Sequence, residues 1–311
     1  MQVIKFSEFD GVDYCLSIPP EKSSMIKVQM KMRHLKTLMD GGSKEILDTL
    51  FPGMLVTPEL GYDVAVEFDC DKIEKKEEFL DRISHLKMHC ESGPLMRAFK
   101  ALASPDGGKA GPVTTLNFRT RDAIYICPRD GKVIVVMMLD FADDTEKVQP
   151  YIHARHPLHL HPCRIPKSNS KPNPKHETLN ANHAKALAKV FLQEFVEAQR
   201  SIRNAPSIAY GTKAPGELAG VPGMEKFANM DIAGFISFAV EPRHVQGVHL
   251  TKVVALLCGF RNYLAYHIKC SKTYLHMRMR HRMDEWMKVL KRAQPEVAGE
   301  KKTFAGKTFK R

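Results

Sequence analysis

Hydrophobic positions in the first third of the chain switch between a period of two and a helical period, which predicts strands interleaved with helices. Residues 1–6 already read as strand and lack the basic-then-apolar build of a secretion signal, an expectation of a cytosolic protein. Segments 6–9 and 14–18 flank Asp10-Gly11, a turn dipeptide. Ile26, Val28, Met30 and Met32 alternate with Lys27, Gln29 and Lys31, as in a strand with one buried face. Gly41-Gly42-Ser43 then predicts a break, with Ser43 capping a short helix that carries Ile46, Leu47 and Leu50. A strand is expected over 62–68, where Val64, Val66 and Phe68 share a face. From 73 to 102 the residues Ile73, Phe79, Leu80, Ile83, Leu86 and Met88 recur at helical spacing, with an interruption expected at Gly93-Pro94.

Residues 104–112 (SPDGGKAGP) predict a linker, and beyond it the order starts again. Strands are expected near 113–118, 123–126 and 132–139, with Asp130-Gly131 turning a hairpin. A helix over 182–200 carries Ala186, Val190, Phe191 and Phe195, and strands follow at 207–210 and 232–240. From Val248 to Arg292 there is no proline and only one glycine, Gly259. Val253, Leu257, Phe260, Leu264, Ile268, Leu275, Met279, Trp286 and Leu290 recur there at steps of three, four or seven. This pattern predicts one amphipathic helix of ~45 residues, ~65 Å long at 1.5 Å per residue. Such a helix is too long for one small domain, and either meets a partner helix or crosses both domains.

The fold expected is α/β of the α+β type: two tandem, similar domains of mostly antiparallel sheet with packed helices, then the long helix. The boundaries are 1–110, 111–247 with an insertion at 145–178, 248–292 for the helix, and 293–311 for a basic tail. The similarity of the two halves is one of element order, without a residue-level repeat.

Composition excludes several classes. A hydrophobic fraction of 43% and a charged fraction of 26% are those of a globular protein. No apolar run reaches the ~18 residues of a membrane span. The 7 cysteines are widely spaced without a C-x-x-C pair, so neither a disulfide framework nor a cysteine zinc site is expected. Net charge is +12, unevenly spread: residues 1–110 hold 15 basic against 18 acidic side chains, and residues 248–311 hold 15 against 4. A concentration of one sign predicts an extended acidic partner.

The helix carries Arg261, Lys269, Lys272, Arg278, Arg280, Arg282, Lys288, Lys291 and Arg292 against Asp284 and Glu285. Like charges at i, i+4 oppose helix formation, so a compensating partner is the stronger reading than a merely solvated face. Tyr263, Tyr266 and Tyr274 lie among these cations, as in a nucleic-acid surface that stacks bases, although no RNA-recognition or helix-turn-helix pattern accompanies them. A free-standing nucleic-acid-binding module is therefore one alternative. A peripheral protein lying on anionic lipid is another. His153, His156, His159, His161 and Cys163 have metal-ligand chemistry, but the prolines among them and the open spacing predict a flexible insertion rather than a metal site. Asp143-Asp144 and Asp69/Asp71 sit at strand ends, where acids mark turns. No nucleophile elbow, phosphate-binding loop, dinucleotide fingerprint or zinc-protease motif occurs, so no catalytic residue and no cofactor is expected.

The run from Tyr263 to Arg280 (YLAYHIKCSKTYLHMRMR) closely resembles the last helix of the subunit 2 family of the actin-related protein 2/3 complex. So do 288–293 (KVLKRA) and 303–309 (TFAGKTF), with looser matches in order at Phe9-Asp10-Gly11-Val12, Gly61-Tyr62, 190–195 (VFLQEF) and Pro242-Arg243-His244. The start looks shorter than the family's usual one, and 145–178 looks inserted. The resemblance implies two tandem α/β domains and a closing helix that packs against subunit 4, the pair forming the core of a complex that nucleates branched actin filaments. It implies contact with the side of the mother filament, a place in the cytoplasm at the actin cytoskeleton, and no nucleotide, nucleic-acid or membrane site on this chain. The seam toward subunit 4 is then Val253, Leu257, Leu264, Ile268, Leu275 and Met279. The filament contacts are Lys269, Lys272, Arg278, Arg280 and Lys288, joined by Arg129 and Lys132, which match basic positions of the family.

Overall fold

A computed structural model of the chain describes residues 2–8, 11–20, 24–104, 108–119, 122–141, 174–202, 204–227, 232–293, 301–302 and 308–309. Strands β1 (Gln2–Ser7), β2 (Asp13–Ile18), β3 (Met25–Lys31), β4 (Leu55–Val56) and β5 (Val64–Asp69) form one sheet, in the order β1-β2-β3-β5-β4. Strands β6 (Thr114–Arg119), β7 (Asp122–Arg129), β8 (Lys132–Leu139), β9 (Ser207–Gly211) and β10 (Gly234–Val240) form a second, in the order β6-β7-β8-β10-β9. Every pairing in both sheets is antiparallel. The two sheets thus repeat one plan, a three-strand meander followed by a pair entered in reverse. A short ladder of β11 (Lys301–Lys302) and β12 (Thr308–Phe309) lies near the C-terminus.

Helices α1 (Leu35–Leu38) and α2 (Lys44–Leu50) lie between β3 and β4, joined by a π-type turn over Met39–Ser43. After β5 come α3 (Lys76–Ser84) and α4 (Leu86–Ala103), then α5 (Pro174–Arg200) and the closing α6 (His249–Ala293). Residues Met1–Tyr266 form one compact unit and His267–Arg311 a second.

Burial explains the strand patterns. β7 and β8 are buried along almost their whole length on both faces, because each face is covered. Tyr125, Cys127, Ile134, Val136 and Met138 point to one side with Leu218, Met224 and Phe235. Helix α4 packs against β7 and β8, although it follows the first sheet in sequence. The expected linker is tied down: the Gly131 N–H donates to the Gly108 carbonyl at 3.2 Å and the Ala110 N–H to the Asp130 carboxylate at 3.0 Å.

Three expectations are corrected. The first strand is Gln2–Ser7, in keeping with the strand-like residues 1–6, and the segment expected over 6–9 shares only Phe6 and Ser7 with it. The helical stretch after β5 breaks at His85, and α4 runs straight through Gly93-Pro94. Ser43 makes no N-cap bond and has right-handed helical angles itself. The last two corrections share one cause. Proline inside a helix leaves the carbonyl four residues back without a donor, here that of Cys90. The Ser43 hydroxyl donates to that carbonyl, in a short hydrogen bond spanning 47 positions. Close approach is possible because neither face carries a side chain in the way. A Cβ on Gly93 would lie 2.3 Å from the Ser43 nitrogen, and one on Gly41 would lie 2.5 Å from the Pro94 ring.

A second long-range bond fixes the start of α6. The Arg261 Nε donates to Asp122 Oδ2 at 2.8 Å and its Nη2 donates to the same oxygen, while Oδ1 accepts the Asp140 N–H at 3.0 Å. The Asp122 side chain is almost completely buried and that of Arg261 mostly covered. Arg261 thus belongs to the interior and not to the solvent-facing cations of the helix.

Ser43→Ala should cost about 1–3 kcal/mol by leaving a buried carbonyl unpaired. The cost should shrink when Pro94→Ala restores the helical donor, which a double-mutant cycle by chemical denaturation measures. Arg261→Met should cost about 3–5 kcal/mol by stranding Asp122, and Asp122→Asn in the same chain should recover part of it.

Candidate partner and filament interface

Helix α6 is 45 residues long and changes character along its length. Val254, Leu257, Leu264, Ala265 and Ile268 are buried. Phe260 packs edge-on to Phe195 of α5 and Phe238 of β10, both at 5.1 Å between ring centroids. From Thr273 to Ala293 every residue is exposed. The apolar period nevertheless continues. At about 100° per residue, Leu275, Met279, Trp286 and Leu290 fall within an arc of about 60°, in phase with Leu257, Leu264 and Ile268. These four side chains are 46–66% exposed, and Met283 and Met287 widen the stripe.

The expected seam therefore divides. Leu257, Leu264 and Ile268 are buried by this chain itself and offer no surface to another; Val253 is half-buried. Leu275 and Met279 stand open. Trp286 and Leu290 were legible in the same period but missing from the expected seam, as was Met283, which the helical phase places beside them.

The cations sort in the same way. By the same helical geometry Arg280, Lys291 and Lys288 fall at about 140°, 160° and 220° from Leu275, outside the apolar stripe, with Asp284 among them at about 180° and Lys269 at about 120°, level with Met287 at the stripe's margin. Arg280, Lys288 and Lys291 are exposed and Lys269 is half-buried. Arg278 stands at the stripe's edge, its guanidinium 5.7 Å from the centre of the Tyr274 ring. Lys272 falls inside the apolar arc and is half-buried, and burial lowers its ammonium pKa. Arg129 is half-buried at the β7–β8 turn, where its guanidinium donates to the Glu217 carbonyl at 3.1 Å. Lys132, across the hairpin from Arg129, is exposed. The tyrosines Tyr263, Tyr266 and Tyr274 are exposed, but Tyr263 lies edge-on to Phe195 at 6.2 Å.

Other candidate chemistry resolves into structure. Asp69 accepts the Asp71 N–H at 3.1 Å, the turn expected of an acid at a strand end. Burial pushes the Cys90 thiol up to about 12 and the Cys127 thiol to about 11, so neither presents a thiolate. Among the described residues no cluster of His, Cys, Asp and Glu could hold a metal ion, and no helix is long and apolar enough to cross a membrane. The stretch from His153 to Cys163, Asp143-Asp144 and most of the basic tail lie outside the described residues.

The family model described as the Arp2/3 complex 34 kD subunit p34-Arc matches residues 28–153 and 178–297. Its two segments leave out a stretch that falls inside the expected insertion. Actin-related protein 2/3 complex subunit 2 of Dictyostelium discoideum is 31% identical over 309 residues, covering 98% of this chain and 90% of that protein. The protein of the same name from Schizosaccharomyces pombe is 28% identical over 327 residues, with 98% and 90% covered. With matches spanning both sheets and α6, the chain belongs to the p34-Arc family, the 34 kD subunit of the Arp2/3 complex.

Proposed function

We propose that this subunit, a structural rather than catalytic component of the Arp2/3 complex, joins subunit 4 through the open half of the α6 stripe and meets the mother actin filament through its basic arc. The observation that carries the reading is the stripe itself. An apolar face covered over the first half of a helix and exposed over the second is a surface kept for another chain. Its spacing of four, seven and four residues is that of a helix offered to a groove or to another helix. Leu275, Met279, Trp286 and Leu290 form that contact, with Met283 and Met287 at its margin. Burying what remains exposed of each contributes roughly 1 kcal/mol, a share of the contact that further surface of the partner must complete.

The filament face follows from charge. Arg280 and Lys288 project away from the stripe and Lys269 flanks it, so one helix can hold a protein partner and an acidic polymer at once. Arg278 and Lys132 extend this set. Lys272 and Arg129, bound up in apolar surface and main-chain hydrogen bonds, contribute less than their charge suggests. Residence in the cytoplasm, at the actin cytoskeleton, accompanies this assignment.

Affinity purification of the tagged chain should recover subunit 4 and the two actin-related proteins in near-equal amounts. Leu275→Asp with Met279→Asp should abolish that recovery. Retention of subunit 4 by the double variant, or recovery of nucleic acid in place of the subunits, would overturn the stripe assignment. For the filament face, Lys269→Glu, Arg280→Glu and Lys288→Glu together should weaken co-sedimentation of the assembled complex with actin by more than about tenfold. Each alone should change it by less than about fivefold, since isolated exposed pairs contribute only ~0–1 kcal/mol.

A further inference from the structure

Helices α2 and α4 leave a cleft beside the Ser43–Cys90 hydrogen bond. Helix α2 contributes Ile46 and Leu50, α4 contributes Met88 and Met96, and the first turns of α6 contribute Val254 and Ala255. The volume is about 520 Å³, in the range of small-ligand sites. Two hydroxyls of its floor are engaged within their own helices. The Thr49 hydroxyl donates to the Glu45 carbonyl at 2.7 Å and the Ser92 hydroxyl to the His89 carbonyl at 2.9 Å. His89 enters the lining as a neutral ring, because burial and the neighbouring His85 lower its pKa. What lines the cleft is therefore mostly aliphatic and thioether surface, with one buried imidazole nitrogen, His89 Nε2, without a hydrogen-bond partner. Methionine adapts to an irregular apolar body, and the two here stand on one helix.

The lip is charged, and the sign is biased. Arg97 and Lys100 lie one turn apart on α4, both exposed. The single opposing carboxylate is Glu45, whose distance to Arg97 is 3.8 Å, an ion pair too long for a hydrogen bond. Arg97 is held in place by a 3.1 Å bond from its Nη1 to the Asp40 carbonyl, and its Nη2, the nitrogen facing Glu45, is the one a carboxylate ligand would share. No Phe, Tyr or Trp lines the cleft, so a cation would find only Glu45 there, against two cationic side chains. We infer that this cleft binds an amphipathic acid, its apolar body between α2, α4 and α6 and its carboxylate on Arg97 and Lys100. The ligand class is a medium-chain aliphatic or similar apolar carboxylate.

The test uses the full chain and the purified complex, each with 13C-methyl methionine, and dodecanoate below its micellar concentration as probe. The Met88 and Met96 methyl resonances should shift saturably, ahead of exposed methionines such as Met279 and Met283. Dodecanol and dodecyltrimethylammonium should bind at least about tenfold more weakly, as should dodecanoate to Arg97→Gln/Lys100→Gln. Both substituted side chains are exposed, so that variant keeps the fold, which unshifted core resonances verify. Equal binding of the alcohol or the ammonium would overturn the proposal, as would equal shifts at every exposed methionine. Loss of the site on assembly would make the cleft a subunit contact and overturn it as well.

Discussion

The covering of α6 is the constraint on which the rest turns. A helix with an apolar stripe along its whole length must find a surface to bury that stripe or expose it to water. Here the chain covers Leu257, Leu264 and Ile268 and stops. Beyond Ile268 the same face carries Leu275, Met279, Trp286 and Leu290 into solvent. Marginal folding free energy does not favour leaving four large side chains half exposed in an isolated protein. Their retention makes sense where the stable species is an assembly, in which the helix core is completed by another chain. Membership of the p34-Arc family fits that requirement, since the 34 kD protein is a subunit.

The anchoring of α6 depends in turn on polar contacts that reach far along the chain. Asp122 at the start of β7 holds Arg261 across 139 positions, and Phe260 wedges between Phe195 and Phe238. On the first sheet's side, α4 can run unbroken beneath the Met39–Ser43 turn because Ser43 supplies the donor that Pro94 lacks. Both devices replace a missing or costly local interaction by a specific distant one. That substitution is the usual way a buried polar group is made tolerable. It ties α4 to the first sheet's helices while its other face packs on β7 and β8.

These same contacts mark the limit of what the sequence reveals. Period and turn chemistry place β2, β3, β7 and β8 well, and they place α6 within a residue of its ends. Gly93-Pro94 reads as a helix break because the rule for proline is local, whereas the remedy, Ser43, is 47 positions away. For the candidate interface, the helical period tells which residues share a face but not what lies over that face. Leu264 and Leu275 are therefore alike in sequence, yet one is buried and the other open. The repeated sheet order was visible as element order alone, because equivalent positions need only match in polarity to build the same plan.

Charge makes the same point more sharply. Counted along the helix, the cations form a single basic run; counted by environment, they separate into kinds with different physics. Arg261 is neutralised in the interior by Asp122. Lys272 sits among apolar neighbours, where burial lowers its ammonium pKa and weakens its hold on the charge. Arg278 shares its charge with the Tyr274 ring. Arg280, Lys288 and Lys291 stand exposed away from the stripe, Lys269 lies at its margin, and Asp284 lies among them, so the field there is the sum of these charges. An extended acidic surface responds to that sum rather than to the formal charge of +12, most of whose local meaning is set by which side of α6 a residue occupies.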